Sequence, residues 1–270
     1  RPLNAVEKVI AQRTFRGEGD RDGVAAVQPG DQVLCRAGFR GMHEYTAGMV
    51  IDLYRAAYQD APIEDPDLVA CFEDHFVLLT EPSVPADVKA KRLRPAQRLA
   101  QEMVEACEAY GVRLHGPNRQ LPAGVCHRIV VEDYALPGTV LVCGDSHTCS
   151  AGAFNCAARG TGAPDMFYAI TKGETWFRVG ETVRYELEGT LQPNVSMKDV
   201  FLYLADTYGD HATMNVEYGG SALPNLSMNA RRTMSTMSAE LSAEFATFEP
   251  DQVLLDYVQE RNPGVELEPQ

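Results

Sequence analysis

The sequence predicts an α/β fold with a largely parallel sheet and flanking helices. Short apolar, β-branched runs alternate with amphipathic segments. Two of those runs end in an acid beside a histidine, where α/β proteins place their chemistry. There is no internal repeat and no low-complexity block. With 270 residues and 45% hydrophobic content the chain can bury a large core. No composition shift marks a boundary, so residues 1–270 are read as one α/β region, either a single unit or two intertwined subdomains.

Asn4 to Arg13 reads as the first helix, with Asn4 as N-cap and Glu7 completing a capping box. Pro29-Gly30-Asp31 turns the chain into a strand at Gln32 to Cys35. Gly38 to Gly41 breaks the pattern, and after His43-Glu44 a helix is expected from Ala47 to Tyr58. Val69 to Phe72 is a short buried strand that ends at Glu73-Asp74-His75. Pro95 to Tyr110 is amphipathic and stops at Gly111. Val112 to His115 and Arg128 to Val131 read as strands, with His115 and His127 structural or solvent-facing. Thr139 to Cys143 is the clearest buried strand, followed by Gly144-Asp145-Ser146-His147 and a small-residue segment, 151–160, that Ser150 can cap as a helix. Asp165 to Glu174 is helical, Trp176-Phe177 reads as an aromatic anchor, and Thr182 to Glu188 alternates as a half-exposed strand. Ser196 and Asp199 box a helix through Tyr208; further helices span Ser227 to Glu244 and Asp251 to Arg261, and the tail from Val265 is polar and unpatterned.

A net charge of −14 argues against nucleic acid or an anionic membrane as partner. No apolar run approaches the ~20 residues of a spanning helix. The start, Arg1-Pro2-Leu3-Asn4, lacks a secretory pattern and an initiator Met, so a trimmed or partial chain is expected. Seven cysteines, an odd number scattered through predicted elements, suit a reducing cytoplasm better than a disulfide framework. No C-x-x-C pair occurs, so no metal ligands are assigned to this chain, and Cys143, Cys149 and Cys156 read as buried thiols.

The constellation Asp74-His75, Asp145-Ser146-His147 and His43 admits two chemistries. Nucleophilic hydrolysis needs a serine, its base and an orienting acid in one line. Adjacent residues point apart, and no glycine follows Ser146 as in a nucleophile elbow. Dehydration of a hydroxy acid needs a proton donor for the leaving hydroxyl, a carboxylate to orient it and groups that hold the substrate carboxylates. These residues supply such a set, and a Lewis acid usually completes it.

The stretch Val142-Cys143-Gly144-Asp145-Ser146-His147-Thr148-Cys149 resembles the signature of the aconitase superfamily, and within it the large subunits of 3-isopropylmalate dehydratase. Asn4 to Ile10, Phe72 to His75, Gly173 to Val179 with Glu188 to Pro193, Leu226 to Glu240, and Phe248 to Asp251 extend the similarity in order along the whole chain. The resemblance implies aconitase-like N-terminal domains, without the cluster-ligand domain. It implies a hydro-lyase acting on a small hydroxy di- or tricarboxylic acid such as isopropylmalate. His75 would protonate the departing hydroxyl, oriented by Asp74. Asp145 and His147 would sit beside that hydroxyl with Glu240 in support, and Ser146 and His43 would contact a substrate carboxylate. It also implies a [4Fe-4S] cluster whose cysteines lie outside this sequence, and a small subunit or further domain that completes the site. Thr236 stands where the family pattern has asparagine, and Tyr45 and Phe76-Val77-Leu78-Leu79 replace smaller residues, which points to an unusual substrate. For an anionic substrate on so acidic a chain, the neutralising arginines are expected from the missing parts or the iron. The alternative is a cluster-free relative that binds or scaffolds, or that works without a cofactor.

Overall fold

A computed structural model describes residues 2–16, 23–59, 61–77 and 83–270. Its centre is a five-stranded parallel sheet in the order β4-β3-β2-β5-β6, made of β2 (Phe39–His43), β3 (Val69–Phe72), β4 (Arg113–His115), β5 (Val140–Cys143) and β6 (Ala157–Gly160). Helices α2 (Glu44–Tyr58) and α3 (Ala86–Tyr110) make the crossovers from β2 to β3 and from β3 to β4. Alternate residues of the strands enter two different cores: Ala70, Phe72 and Leu141 face one, and Val69, Cys71, Val140 and Val142 the other. Burial on both faces explains why these strands read as continuous apolar runs. Among the described residues no helix is long and apolar enough to cross a membrane.

Two smaller sheets flank this one. β1 (Gln32–Arg36) pairs antiparallel with β7 (Glu174–Arg178). β8 (Thr182–Glu186), β9 (Asn215–Gly219) and β10 (Phe245–Phe248) form a parallel sheet in the order β10-β9-β8. The remaining helices are α1 (Ala5–Arg13), α4 (Cys126–Ile129), α5 (Ala163–Lys172), α6 (Met197–Tyr208), α7 (Met228–Met237) and α8 (Gln252–Arg261). The capping boxes at Asn4/Glu7 and Ser196/Asp199 form as the sequence predicts.

Several expectations are corrected. The break read at Gly38 to Gly41 is β2, the middle strand of the main sheet. Arg40 interrupts its apolar run, yet is fully buried and donates to the carbonyls of Glu64, Asp65 and Ala169. Gly41 is needed there because a Cβ would stand 2.8 Å from Cys143 Sγ. Arg128 to Val131 is not a strand: α4 continues as a π-helical turn, Val130–Tyr134. Its start is fixed by the N–H of Cys126 donating to Asp74 Oδ2 (2.7 Å). The helix placed after Ser150 begins earlier. Asp145 caps a 3-10 segment, Ser146–Phe154, and the chain then enters β6 through Asn155 at φ 57°. α3 starts at Ala86 and carries Pro95 inside it. α7 ends at Met237, followed by a 3-10 turn, Ser238–Leu241. β9 and β10 had no sequence prediction, because buried Asn215, Glu217 and Thr247 break up their apolar character. Phe177 is buried but Trp176 is 48% exposed, so only one of the two anchors the core. The tail lacks regular structure but is tied down: Asn155 exchanges hydrogen bonds with the backbone of Gln270.

The 3-10 segment joins the main sheet to β10. A Cβ on Gly152 would come within 1.8 Å of the Ala246 carbonyl oxygen. Gly152→Ala must push two backbones apart, and is expected to lower stability by about 1–3 kcal/mol, measured by urea unfolding.

Candidate active site

The sheet order places its topological switch between β2 and β5, since the chain runs outward from β2 through β3 and β4 and then returns to β5. Ligand crevices form outside the carboxyl ends of strands at such a point. The register aligns those ends: His43 lies opposite Phe72, Phe72 opposite His115, and Cys143 opposite Gly160. Gly144 turns the chain out of β5 against Thr46, whose hydroxyl donates to its carbonyl (2.9 Å); a Cβ there would lie 2.5 Å from the threonine methyl.

One group forms at β2 and β3. His43 caps α2, its Nδ1 accepting the Tyr45 N–H at 3.2 Å, so the neutral ring carries its proton on Nε2. It is buried and stacks on His75 with ring centres 3.8 Å apart. Burial first, then the neighbouring imidazole, push the His43 pKa down, which keeps the ring neutral at pH 7. Glu44 accepts the N–H groups of His75 and Phe76, both at 3.1 Å, and so shapes the turn after β3. Burial raises its pKa against those hydrogen bonds. Asp74 is bound on both oxygens, Oδ1 to His75 Nδ1 and Oδ2 to the Cys126 N–H. The His75 side chain is 44% exposed. Of the replacements read at 76–79, Leu78 and Leu79 lie outside the described residues, while Phe76 meets Tyr45 edge-on at 6.2 Å.

A second group surrounds Asp145. Its Oδ1 accepts the His147 N–H (2.8 Å) and lies 3.3 Å from His127 Nδ1, off the line of a good hydrogen bond. Burial alone would raise the Asp145 pKa, but His127 and the His147 amide more than reverse this and hold it well below the usual carboxylate range. His147 Nε2 is 3.4 Å from Glu240 Oε1, and its ring centre is 5.2 Å from that of His127. The structure therefore brings together three carboxylate–imidazole pairs: Asp74 with His75, Asp145 with His127, and Glu240 with His147. His127, read from sequence as structural or solvent-facing, is the residue that sequence reasoning missed. Its acid sits on another element, so no local pattern signals the pair. His115 does have the structural role expected of it, buried and bound to the Pro122 carbonyl and the Tyr134 hydroxyl.

Two clefts adjoin the Asp145 group. One, of about 670 Å³, is lined by Asp145, exposed Ser146, Arg159, Asp165 and Glu244, among others. Arg159 is the one cation among its described lining residues, and it is paired with Glu244 at 3.0 Å. The other, of about 400 Å³, runs along α7 past His127 and contains Arg128, Arg232 and Thr236. Arginines of the chain itself therefore line both clefts.

The cysteines do not make a cluster site. All seven are free and buried. Among the described residues, the groups in which three or more potential ligands converge are His43-Glu44-Asp74-His75 and Cys126-His127-Asp145, with one thiol at most. An iron–sulfur cluster needs a set of thiolates, so these residues do not fit one. Cys149 and Cys156 donate to backbone carbonyls, and burial raises both pKa values to about 12.

A model of the aconitase family (aconitate hydratase) matches residues 20–268. The chain is 37% identical over 259 residues to the 3-isopropylmalate dehydratase large subunit of Mycolicibacterium smegmatis, covering 94% of this chain and 54% of that protein. It is 32% identical over 263 residues to 3-isopropylmalate dehydratase large subunit 1 of Pyrococcus abyssi, covering 96% and 56%. With the methanogen homoaconitase large subunit of Methanocaldococcus jannaschii the identity is 35% over 196 residues, covering 72% and 43%. The chain thus spans about half the length of the curated relatives it matches. The family model covers nearly all of these residues, and the relatives match over most of the chain; the chain belongs to the aconitase family.

Proposed function

We propose that this chain carries the acid–base half of a hydro-lyase acting on a small hydroxy di- or tricarboxylic acid. The observation that carries the reading is the convergence of the three carboxylate–imidazole pairs on the sheet's switch point. His75, held by Asp74, gives a proton to the hydroxyl that leaves as water, while a base in the completing part of the site takes the proton from the adjacent carbon as the alkene forms; re-addition of water reverses both transfers. Asp145 stays ionised beside the hydroxyl, flanked by His127 and His147, with Glu240 supporting His147. Ser146 and His43 are assigned to a substrate carboxylate. The names of the relatives, dehydratase and homoaconitase, support this class of substrate. Their designation as large subunits supports a small subunit or further domain as partner. The family's [4Fe-4S] cluster would then be held by that remainder, and seven free thiols suit a cytoplasmic setting.

The alternative reading is a cluster-free relative that binds or scaffolds. Iron and acid-labile sulfide, measured anaerobically on the protein from its native source together with hydration activity, decide between the two. Cluster and turnover together support the hydro-lyase; neither, in repeated preparations, leaves the cluster-free reading.

A further inference from the structure

The two clefts beside Asp145 differ in charge. The first sets Arg159 against Asp145, Asp165 and Glu244, so its one cation is outnumbered by carboxylates. The second has no carboxylate among its described lining residues and has two guanidinium groups, Arg128 and Arg232, together with Ser150, Asn229 and Thr236. Both guanidinium groups share a single acceptor, Glu132 Oε1, at 3.3 and 2.9 Å. One positive charge in this trio is therefore uncompensated. Arg232 is mostly buried, its side chain 14% exposed, and its NH1 lies 3.4 Å from Asn229 Oδ1, so it is held in place rather than trailing in solvent. A concave cationic surface on a chain of net charge −14 is an anion site by charge and by shape. A fork of N–H donors beside hydroxyl and amide groups suits a carboxylate. The cleft also reaches His127, whose Nδ1 lies 3.3 Å from Asp145 Oδ1.

We infer that the cleft between α4 and α7 binds a carboxylate arm of the substrate, with Arg232 as its anchor and Arg128 at its mouth. This rests on the hydro-lyase reading and names which end of the acid the chain itself grips. The test is calorimetric titration of the protein in its native assembled form with citrate as probe and its neutral trimethyl ester as control. Arg232→Gln is expected to weaken citrate binding about 10- to 100-fold, the scale of a lost charge-assisted hydrogen bond. Glu132→Gln frees both guanidinium groups and is expected to tighten it, an opposite sign that misfolding cannot imitate. The ester is expected to bind poorly to every form. Citrate affinity that is the same in both variants as in the parent overturns the inference and leaves the hydro-lyase reading standing. Loss of the partner subunit from Arg232→Gln, with citrate affinity kept, overturns it too, because the cleft is then a protein contact. Absence of citrate binding and of turnover with every hydroxy acid in the unmodified protein overturns the hydro-lyase reading itself.

Discussion

His75→Ala is expected to lower kcat for water elimination by about 10²- to 10⁴-fold, the range for loss of a positioned general acid. The fold should be little changed. The His75 ring is 44% exposed, and the turn that carries it is held by its backbone N–H on Glu44, which the substitution keeps. The stack on His43 is lost, but His43 stays fixed by the Tyr45 amide. The informative measurement is kcat and KM together with an unfolding curve. A large fall in kcat at unchanged stability supports the proton-donor role. Turnover within a few-fold of the parent would remove His75 from the mechanism.

Asp251→Asn is expected to cost about 3–5 kcal/mol of stability, the penalty for stripping a buried charge of its partner. Arg231 is fully buried, and Asp251 meets it with both oxygens, at 2.7 and 2.6 Å. The other guanidinium contacts are the carbonyls of Leu223 and Leu226, so no second acid takes over. Asp251 also caps α8, accepting the Leu254 N–H at 3.0 Å. Burial would raise the Asp251 pKa, but Arg231 and the helix amides bring it below its ordinary value. A carboxylate with a depressed folded pKa stabilises fully above its unfolded value, about 3.9. That contribution is lost as the pH falls through the folded value. Asp145 has the same sign. The parent should therefore lose stability steeply below about pH 4. Asp251→Asn should be weaker at pH 7 and decline less steeply in acid, which urea unfolding across pH measures.

What was legible in the sequence follows from the range of the interaction that decides each element. The boxes at Asn4/Glu7 and Ser196/Asp199, and the runs of β3 and β5, are set by residues within a few positions, and they form where expected. β2 was hidden because Arg40 looks like a surface residue until the carbonyls of Glu64, Asp65 and Ala169 are brought around it. Arg128 to Val131 has strand composition, but Asp74, from the turn after β3, starts a helical turn there by taking the Cys126 amide. The site divides in the same way. Asp74-His75 and Asp145-Ser146-His147 announce themselves as doublets and triplets, whereas the pairing of His127 with Asp145 exists only after the chain has folded.

The burial of every thiol makes the chain chemically silent toward cysteine reagents in its native state. Burial lifts the pKa of Cys35 to about 11, so while the thiol stays buried it offers little thiolate to an attacking reagent. Modification of the parent thus times the opening of whole molecules. Ser146→Cys would put one exposed sulfur at the rim of the acidic cleft, where a fluorophore could report ligand or partner arrival without a competing label elsewhere in these residues.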